Sequence, residues 1–325
     1  METVGRMAGV SQVTVSRALS DPSKVSPETL TRIQEAIAAT GFVPNALAGA
    51  LASRRSMLVS VLVPSITNIV YSTMLATLSD ELKSRGYQIL LSETGFDPEE
   101  EAAAVEAHLS RQPDALLLTG VHHAQRTRQR LLGAAIPVVE MWDITDTPID
   151  LCVGFSHAGA GRAVADFAHE AGYTRAAGIA AGDERAGRRL EAFADRFRQR
   201  AGVVDVPILR AARGGLQQGR ALLAELLDQH HFRGGFIACS SDVLAHGVLI
   251  EAAARGLRVP GDLGIAGFGD QELAAAVEPG LTTVRVNREE LGRAAAQAVL
   301  ARIAGEIPER RVIDVGFTLV RRDSA

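Results

Sequence analysis

Nine short apolar runs along residues 58–269 alternate with amphipathic stretches, and this alternation restricts the possible folds more than any other feature of the chain. The runs are LVSVLVP (58–64), YQILLSE (87–93), ALLLTG (115–120), PVVEMW (137–142), DLCVGF (150–155), AAGIAA (176–181), VPILRA (206–211), GGFIACS (234–240) and LGIAGFG (263–269). Apolar runs of this length, separated by helical periodicity as in 185–200 and 243–256, mark parallel sheets flanked by helices. The first five runs and the last four form two series, so two successive open α/β lobes are expected. Such lobes present ligand-binding groups at the carboxyl ends of their strands, which makes the cleft between them the expected binding site.

A chain of 325 residues can bury two or three cores without disulfide staples. Its two cysteines, Cys152 and Cys239, lie inside apolar runs and read as inert core thiols in a reducing compartment. No basic stretch followed by an apolar core opens the chain, and no apolar run approaches the ~20 residues that cross a bilayer. A cytoplasmic location with no membrane partner is therefore expected.

The net charge of −4 is unevenly spread. Residues 1–57 carry Arg6, Arg17, Lys24, Arg32, Arg54 and Arg55 against Glu2, Asp21, Glu28 and Glu35, a balance of +2 that leaves −6 on the remainder. A basic head on an acidic body points to a polyanion contact at one end.

Within that head, Met1 to Gly9 reads as a short helix with Val4, Met7 and Ala8 on one face. After the Gly9-Val10 break, Ser11 is placed to cap a second helix. Val15, Ala18 and Leu19 form its inward stripe, leaving Gln12, Val13, Ser16 and Arg17 outward. This is the helix-turn-helix arrangement, whose second helix enters the major groove. Two helices of any small bundle would give the same pattern. Ser26-Pro27-Glu28 reads as N-cap, first-turn proline and first-turn acid of a third helix ending at Gly41, packed through Leu30, Ile33, Ile37 and Ala38.

The string AGVSQVTVSRALSDPSKVSPETLTRIQEAIAATGFVPNALAGALASRRS, Ala8 to Ser56, closely resembles the DNA-binding head of the lac and purine repressor family. That resemblance implies a sequence-specific repressor. Gln12 and Val13 would be the principal base-reading pair, Arg17 a further groove contact, and Thr14, Ser16, Lys24, Ser26 and Thr29 groove or phosphate contacts. Residues 45–53 resemble the family's hinge helix, in which Leu51 would wedge into a minor-groove base step with Asn45 and Ala48 alongside. An ordinary packing role for Leu51 is the alternative. Family members usually carry several more residues before the first helix, including a capping threonine or serine, so a frayed first helix or a late start is expected here.

The body resembles the periplasmic-binding-protein-like (type I) core of the same family over essentially its whole length. The implied fold is an all-α helix-turn-helix head with a hinge helix, joined to an α/β two-lobed core. The expected domains are 1–43 (head), 44–57 (hinge and linker) and 58–325 (effector binding and dimerisation). Crossings near Phe155-Ser156, Val284-Arg285 and Gly316-Phe317 would divide the core into lobe 1, about 58–155 and 285–315, and lobe 2, about 156–284 and 316–325. Arg189 in DERAGRRLEAF and Asp242 in CSSDVLAHG match effector contacts of relatives and suit the hydroxyls of a sugar or polyol, although Asp242 also suits a helix cap.

VLVPSITNIVYSTML, IPVVEMWD and DVGFTL look closest to gluconate-utilisation repressors, which implies a sugar-acid effector. Arg288 lies where some neutral-sugar relatives have an apolar residue, so Arg288 and Arg189 would bracket the acid. His122 and Asn68 would add donors, or else be plain loop surface, and Glu140 would accept from sugar hydroxyls. The family also implies a homodimer matched to a two-fold operator of double-stranded DNA, and a dimer rather than a tetramer, because the chain stops at Ala325 without a leucine-heptad tail.

No catalytic residue, cofactor or metal is expected. His122 and His123 are adjacent and lack a third ligand at a recognisable spacing. Gly159-Ala-Gly161 has Val164 where a dinucleotide loop needs its third glycine, and better fits small residues packing a helix onto a sheet. There is no Gly-x-Ser-x-Gly elbow or Walker sequence. The rivals are a free-standing sugar-binding protein, which would need export and no head, and an α/β sugar-processing enzyme, which would turn its ligand over.

Overall fold

The computed structural model describes residues 1–44 and 55–325, which form two compact units, Met1–Leu58 with Gln112–Asp114 and Val59–Arg111 with Ala115–Ala325. In the first, α1 (Glu2–Ala8) ends at Gly9, whose φ of 66° lies in the left-handed region that only glycine enters freely. Next, α2 (Gln12–Ser20) starts where the Ser11 side chain accepts the Thr14 N–H at 3.1 Å. Finally, α3 (Pro27–Thr40) is capped by Ser26 in the same way and ends at Gly41. Val4, Ala8, Val15, Ala18, Ile33 and Ala36 form the core of the three helices.

Three inward assignments change. Met7 is 56% exposed, Leu19 is 38% exposed, and Ala36 rather than Ala38 is buried. Val4 and Ala8 are four apart, Val15 and Ala18 three, and Ile33 and Ala36 three. Those spacings already define one narrow stripe per helix, which leaves the neighbouring positions on the rim.

The second unit contains two parallel sheets. One has the order β11-β5-β4-β3-β1-β2, from β1 (Leu58–Val63), β2 (Gln88–Glu93), β3 (Ala115–Thr119), β4 (Val138–Met141), β5 (Leu151–Gly154) and β11 (Val312–Asp314). Its helices include α4 (Ile69–Lys83), α5 (Pro98–Leu109), α6 (Gln125–Gly133) and α12 (Arg288–Ile303). The other has the order β7-β6-β8-β9, from β6 (Ala176–Ala181), β7 (Ile208–Ala211), β8 (Gly235–Cys239) and β9 (Leu263–Ala266). It is flanked by α7 (His157–Glu170) and α8 (Glu184–Ala201) on one face and by α9 (Leu216–Asp228) and α10 (Asp242–Ala254) on the other. A short helix, α11 (Glu272–Ala276), precedes the return of the chain.

The two-residue period of a strand explains why the second sheet is apolar on both sides. Ala177, Ile179, Ile237, Cys239, Leu263 and Ile265 face α9 and α10, whereas Ala176, Ala180, Phe236, Ala238 and Ala266 face α7 and α8. Phe193 and Phe197 of α8 complete the second layer, with Phe193 stacked on Phe236 at 5.9 Å. Each such fully buried ring contributes roughly 1.5–3 kcal/mol.

Three strands were not legible as apolar runs, because each holds only three residues: β10 (Thr283–Arg285), β11 and β12 (Thr318–Val320). The antiparallel pair of β10 and β12 lies where the chain passes between the layers of the two sheets, as it also does between β5 and α7. Gly161 packs α7 onto α8 rather than onto the sheet, since a Cβ there would stand 2.0 Å from the carbonyl oxygen of Arg189. This close approach fixes the backbone of α8 where its arginines emerge.

Candidate functional site

On α2 the side chains of Gln12, Val13, Ser16 and Arg17 all face solvent, and Val13 is 66% exposed. A bare apolar side chain between polar neighbours suits contact with a thymine methyl group. Thr14 is occupied by the cap, its hydroxyl 2.9 Å from Ser11 Oγ. The hydroxyls of Ser26 and Thr29 lie 2.9 Å apart at the start of α3, and Lys24 stands 3.3 Å from Asp21, all within reach of solvent. Asp21 is held below the usual carboxylate range, first by its hydrogen bond from Ser23 and then by Lys24. Asn45, Ala48 and Leu51 lie outside the described residues.

In the second unit, a group of side chains gathers at the carboxyl ends of both sheets, around the first two turns of α8. Asp183 caps this helix, accepting the Ala186 N–H at 2.9 Å. Arg185 and Arg189 then follow four apart on one face. Arg189 is 8% exposed. Its Nη1 stands 2.7 Å from Nδ1 of His157, its Nη2 donates to the Ser240 carbonyl at 2.8 Å, and its guanidinium lies 3.9 Å over the Phe268 ring. Burial lowers its pKa to about 10, which still leaves it charged near neutrality. Arg185 donates to the Tyr71 hydroxyl of α4 at 3.0 Å. Neither arginine has a carboxylate within ion-pair distance among the described residues, whereas Arg188 is paired with both Asp143 and Glu184.

Aromatic rings fill the space beside them. Tyr71 meets Trp142 edge-on at 5.3 Å, Trp142 meets Phe155 at 6.2 Å, and Phe155 stacks on Phe268 at 5.9 Å. His157 is pushed well below its ordinary pKa by burial and then by Arg189, so it is neutral, donating from Nε2 to the Trp142 carbonyl at 2.8 Å and accepting at Nδ1.

Side-chain contacts that join the layer of the first sheet to that of the second include Tyr71 to Arg185, Asp143 to Arg188, and His122 to Glu184 at 3.6 Å. The last two share the Arg188–Glu184 pair at 2.7 Å. They form a polar chain, Asp143–Arg188–Glu184–His122, that leaves the first layer and returns to it.

The other expected ligand contacts are distributed differently. Asn68 caps α4, accepting from Val70 N–H at 3.1 Å, and is exposed. Arg288, half-buried at the start of α12, donates to the Asp270 carbonyl at 3.3 Å, two residues from the ring under Arg189. Asp242 is fully buried, and both its oxygens are engaged, by Gln271 N–H at 2.8 Å and the Thr283 hydroxyl at 2.5 Å. Burial raises its pKa, and the two bonds oppose the rise. The carboxylate therefore ties α10 to β10.

Glu140 likewise turns inward. It accepts the Ile149 N–H at 2.6 Å and stands 3.4 Å from Nε2 of His123, whose Nδ1 lies 2.9 Å from Glu101. Burial alone would lower the His123 pKa, but the two carboxylates outweigh it and raise it to about 9. Glu140 thus neutralises a buried imidazolium, and the side chain is withdrawn from solvent. Sequence reasoning missed Tyr71, Trp142, His157 and Arg185. Arg185 was signalled by its helical spacing from Arg189, and Trp142 by being the single tryptophan at the end of an apolar run.

Residues 1–45 match the bacterial regulatory proteins of the lacI family, and residues 165–325 match a periplasmic binding protein-like domain. The HTH-type transcriptional regulator GntR of Pseudomonas aeruginosa is 36% identical over 327 residues, covering 100% of this chain and 95% of that protein. The regulator of the same name from Escherichia coli K12 is 32% identical, covering 98% and 96%. A crystal structure of a LacI-family transcriptional regulator from Silicibacter pomeroyi, 32% identical, covers 99% of this chain and 98% of its own with a TM-score of 0.91.

Proposed function

The chain belongs to the lacI family of bacterial regulatory proteins, and from that premise we propose that it is a cytoplasmic repressor that releases or tightens its operator in response to a gluconate-like sugar acid. It is a DNA-binding transcriptional regulator, not an enzyme. In this reading residues 1–43 read the operator, 44–57 join head to body, and 58–325 bind the effector and form a homodimer. Lobe 1 comprises about 58–155 and 285–315, and lobe 2 comprises about 156–284 and 316–325. Two copies supply two heads for a two-fold operator. No helix among the described residues is long and apolar enough to cross a membrane.

One observation carries the choice of effector. Arg189 is a guanidinium group withdrawn from water between the two sheets, its pKa lowered by burial, and the half-buried Arg185 stands one turn away; both have neutral hydrogen-bond partners and no carboxylate within ion-pair distance among the described residues. An unpaired charge in such a place is costly, and an anionic ligand removes the cost. Arg288 beside Asp270 is a third cation available to the same ligand. The carboxylate of a sugar acid would take the arginines, and its hydroxyls would take Asn68, His122 and the polar backbone at the strand ends. The relatives named GntR favour the same class.

Calorimetric titration tests this reading. Wild-type protein should bind gluconate at least tenfold more tightly than glucose, and R185A should lose that preference through the missing charge-assisted bond. Equal affinity for acid and neutral sugar would overturn it.

A further inference from the structure

Trp142 combines two unfavourable features. Its φ is 69°, a left-handed conformation that a bulky side chain holds only when its surroundings enforce it. The enforcement is visible. Trp142 N–H donates to the Val153 carbonyl at 3.1 Å, its own carbonyl accepts from His157, and the next residue, Asp143, lies against Gly154, where a Cβ would come within 2.2 Å of it. The second feature is the indole nitrogen. Nε1 is buried and has no hydrogen-bond partner among the described residues, although an indole N–H can only donate and leaving it unmet costs about 1–3 kcal/mol.

Neither feature is needed to pack an aromatic ring here. Edge-on contacts with Tyr71 and Phe155 would serve a phenylalanine equally well. The surroundings also hold donors in excess. Through Tyr71 the indole is one residue from the Arg185 guanidinium, and the main-chain carbonyl of Trp142 is joined through His157 to Arg189, whose Nε is likewise buried without a partner among the described residues. Two buried N–H groups without acceptors, Trp142 Nε1 and Arg189 Nε, fit a ligand rich in acceptor oxygens.

We propose that Trp142 is a specificity-determining residue of the effector site, donating its indole N–H to an oxygen of the polyhydroxy acid once the two lobes part to admit it. This rests on the sugar-acid reading above and deepens it. The strained backbone fixes the direction of the indole before the ligand arrives, so little ordering is required on binding.

Because the chain holds a single tryptophan, its emission reports on this residue alone. The experiment pairs tryptophan emission of the wild-type protein with calorimetric titration of gluconate into wild type and W142F, and operator binding without ligand serves as the folding control. Gluconate should shift the wild-type emission. W142F should keep operator affinity and bind gluconate about tenfold more weakly, the order of one lost hydrogen bond to a charged or strongly polar acceptor. If W142F binds gluconate like the wild type, whatever its melting temperature, the indole N–H does not read the ligand and the proposal fails. If the wild type itself gives no heat with gluconate, the sugar-acid reading fails first and this one with it.

Discussion

Nη1 of Arg189 lies 2.7 Å from Nδ1 of His157, and the pairing makes sense only with a neutral imidazole. His157 then carries its proton on Nε2 and donates it in a hydrogen bond to the Trp142 carbonyl. The arginine beside the second sheet is thus linked, through a residue where the chain passes between the two layers, to the backbone that follows β4 of the first. A ligand that takes up Arg189 necessarily acts on that linkage.

Removing the arginine should therefore affect stability as well as binding. R189A leaves His157 Nδ1 and the Ser240 carbonyl without their donor and uncovers Phe268. The lost hydrogen bonds outweigh the relief of the guanidinium's own burial cost, so we expect a net loss of about 1–2 kcal/mol in unfolding free energy, with R189K intermediate. Chemical denaturation monitored by far-UV circular dichroism checks this, and an R189A midpoint equal to that of wild type would contradict it.

The polar chain between the layers of the two sheets divides by exposure. Asp143 is 2% exposed at its side chain and faces Arg188, whereas His122 and Glu184 are 61% and 54% exposed. Exposed pairs contribute about 0–1 kcal/mol, and pairs with a buried member more. D143N should weaken gluconate binding about tenfold, while H122A should change it less than about threefold. The titrations that give these constants would contradict the ranking if the order were reversed.

Stability should depend on pH through His123. The folded pKa of about 9 exceeds the free value of 6.5, so the folded chain holds this proton more tightly. The contribution is complete below pH 6.5, declines through the interval, and is lost above about 9. Its full size is roughly 3 kcal/mol. Wild-type unfolding free energy should fall between pH 7 and pH 10 more steeply than that of H123Q, and parallel curves would contradict the assignment.

Burial pushes the Cys152 thiol up to about 12 and raises that of Cys239 as well. Neither forms appreciable thiolate at pH 8. A thiol reagent should react with neither cysteine in the native protein and with both after denaturation. Rapid native labelling would contradict the packing described for β5 and β8.

On α2, base and phosphate contacts should separate by salt. V13A should relax sequence preference at one operator position, whereas K24A should weaken all sequences alike and lower the salt slope by about one. Operator variants titrated at several salt concentrations distinguish the two.

The strands β1–β9 were legible because each is a continuous apolar run, and the head because capping serines and glycines stand at fixed offsets. The cleft was legible only in part. Arg189 was found through its motif, but Tyr71 and Arg185 meet across 114 residues, and Asp143 and Arg188 across 45. No local pattern encodes such meetings. Glu140 was read as a ligand group because a carboxylate at a strand end suits that work, and Asp242 through the match of its motif to relatives. Their actual partners, His123 and Thr283, are brought to them only by the tertiary fold.

The central claim is that one chain couples operator binding to a sugar acid. Fluorescence anisotropy on DNA from upstream of its own gene and its neighbours, at fixed salt and with or without gluconate, tests it most directly. The account predicts saturable, sequence-specific binding whose affinity changes with gluconate and not with glucose. Specific binding indifferent to gluconate and to other sugar acids would contradict it.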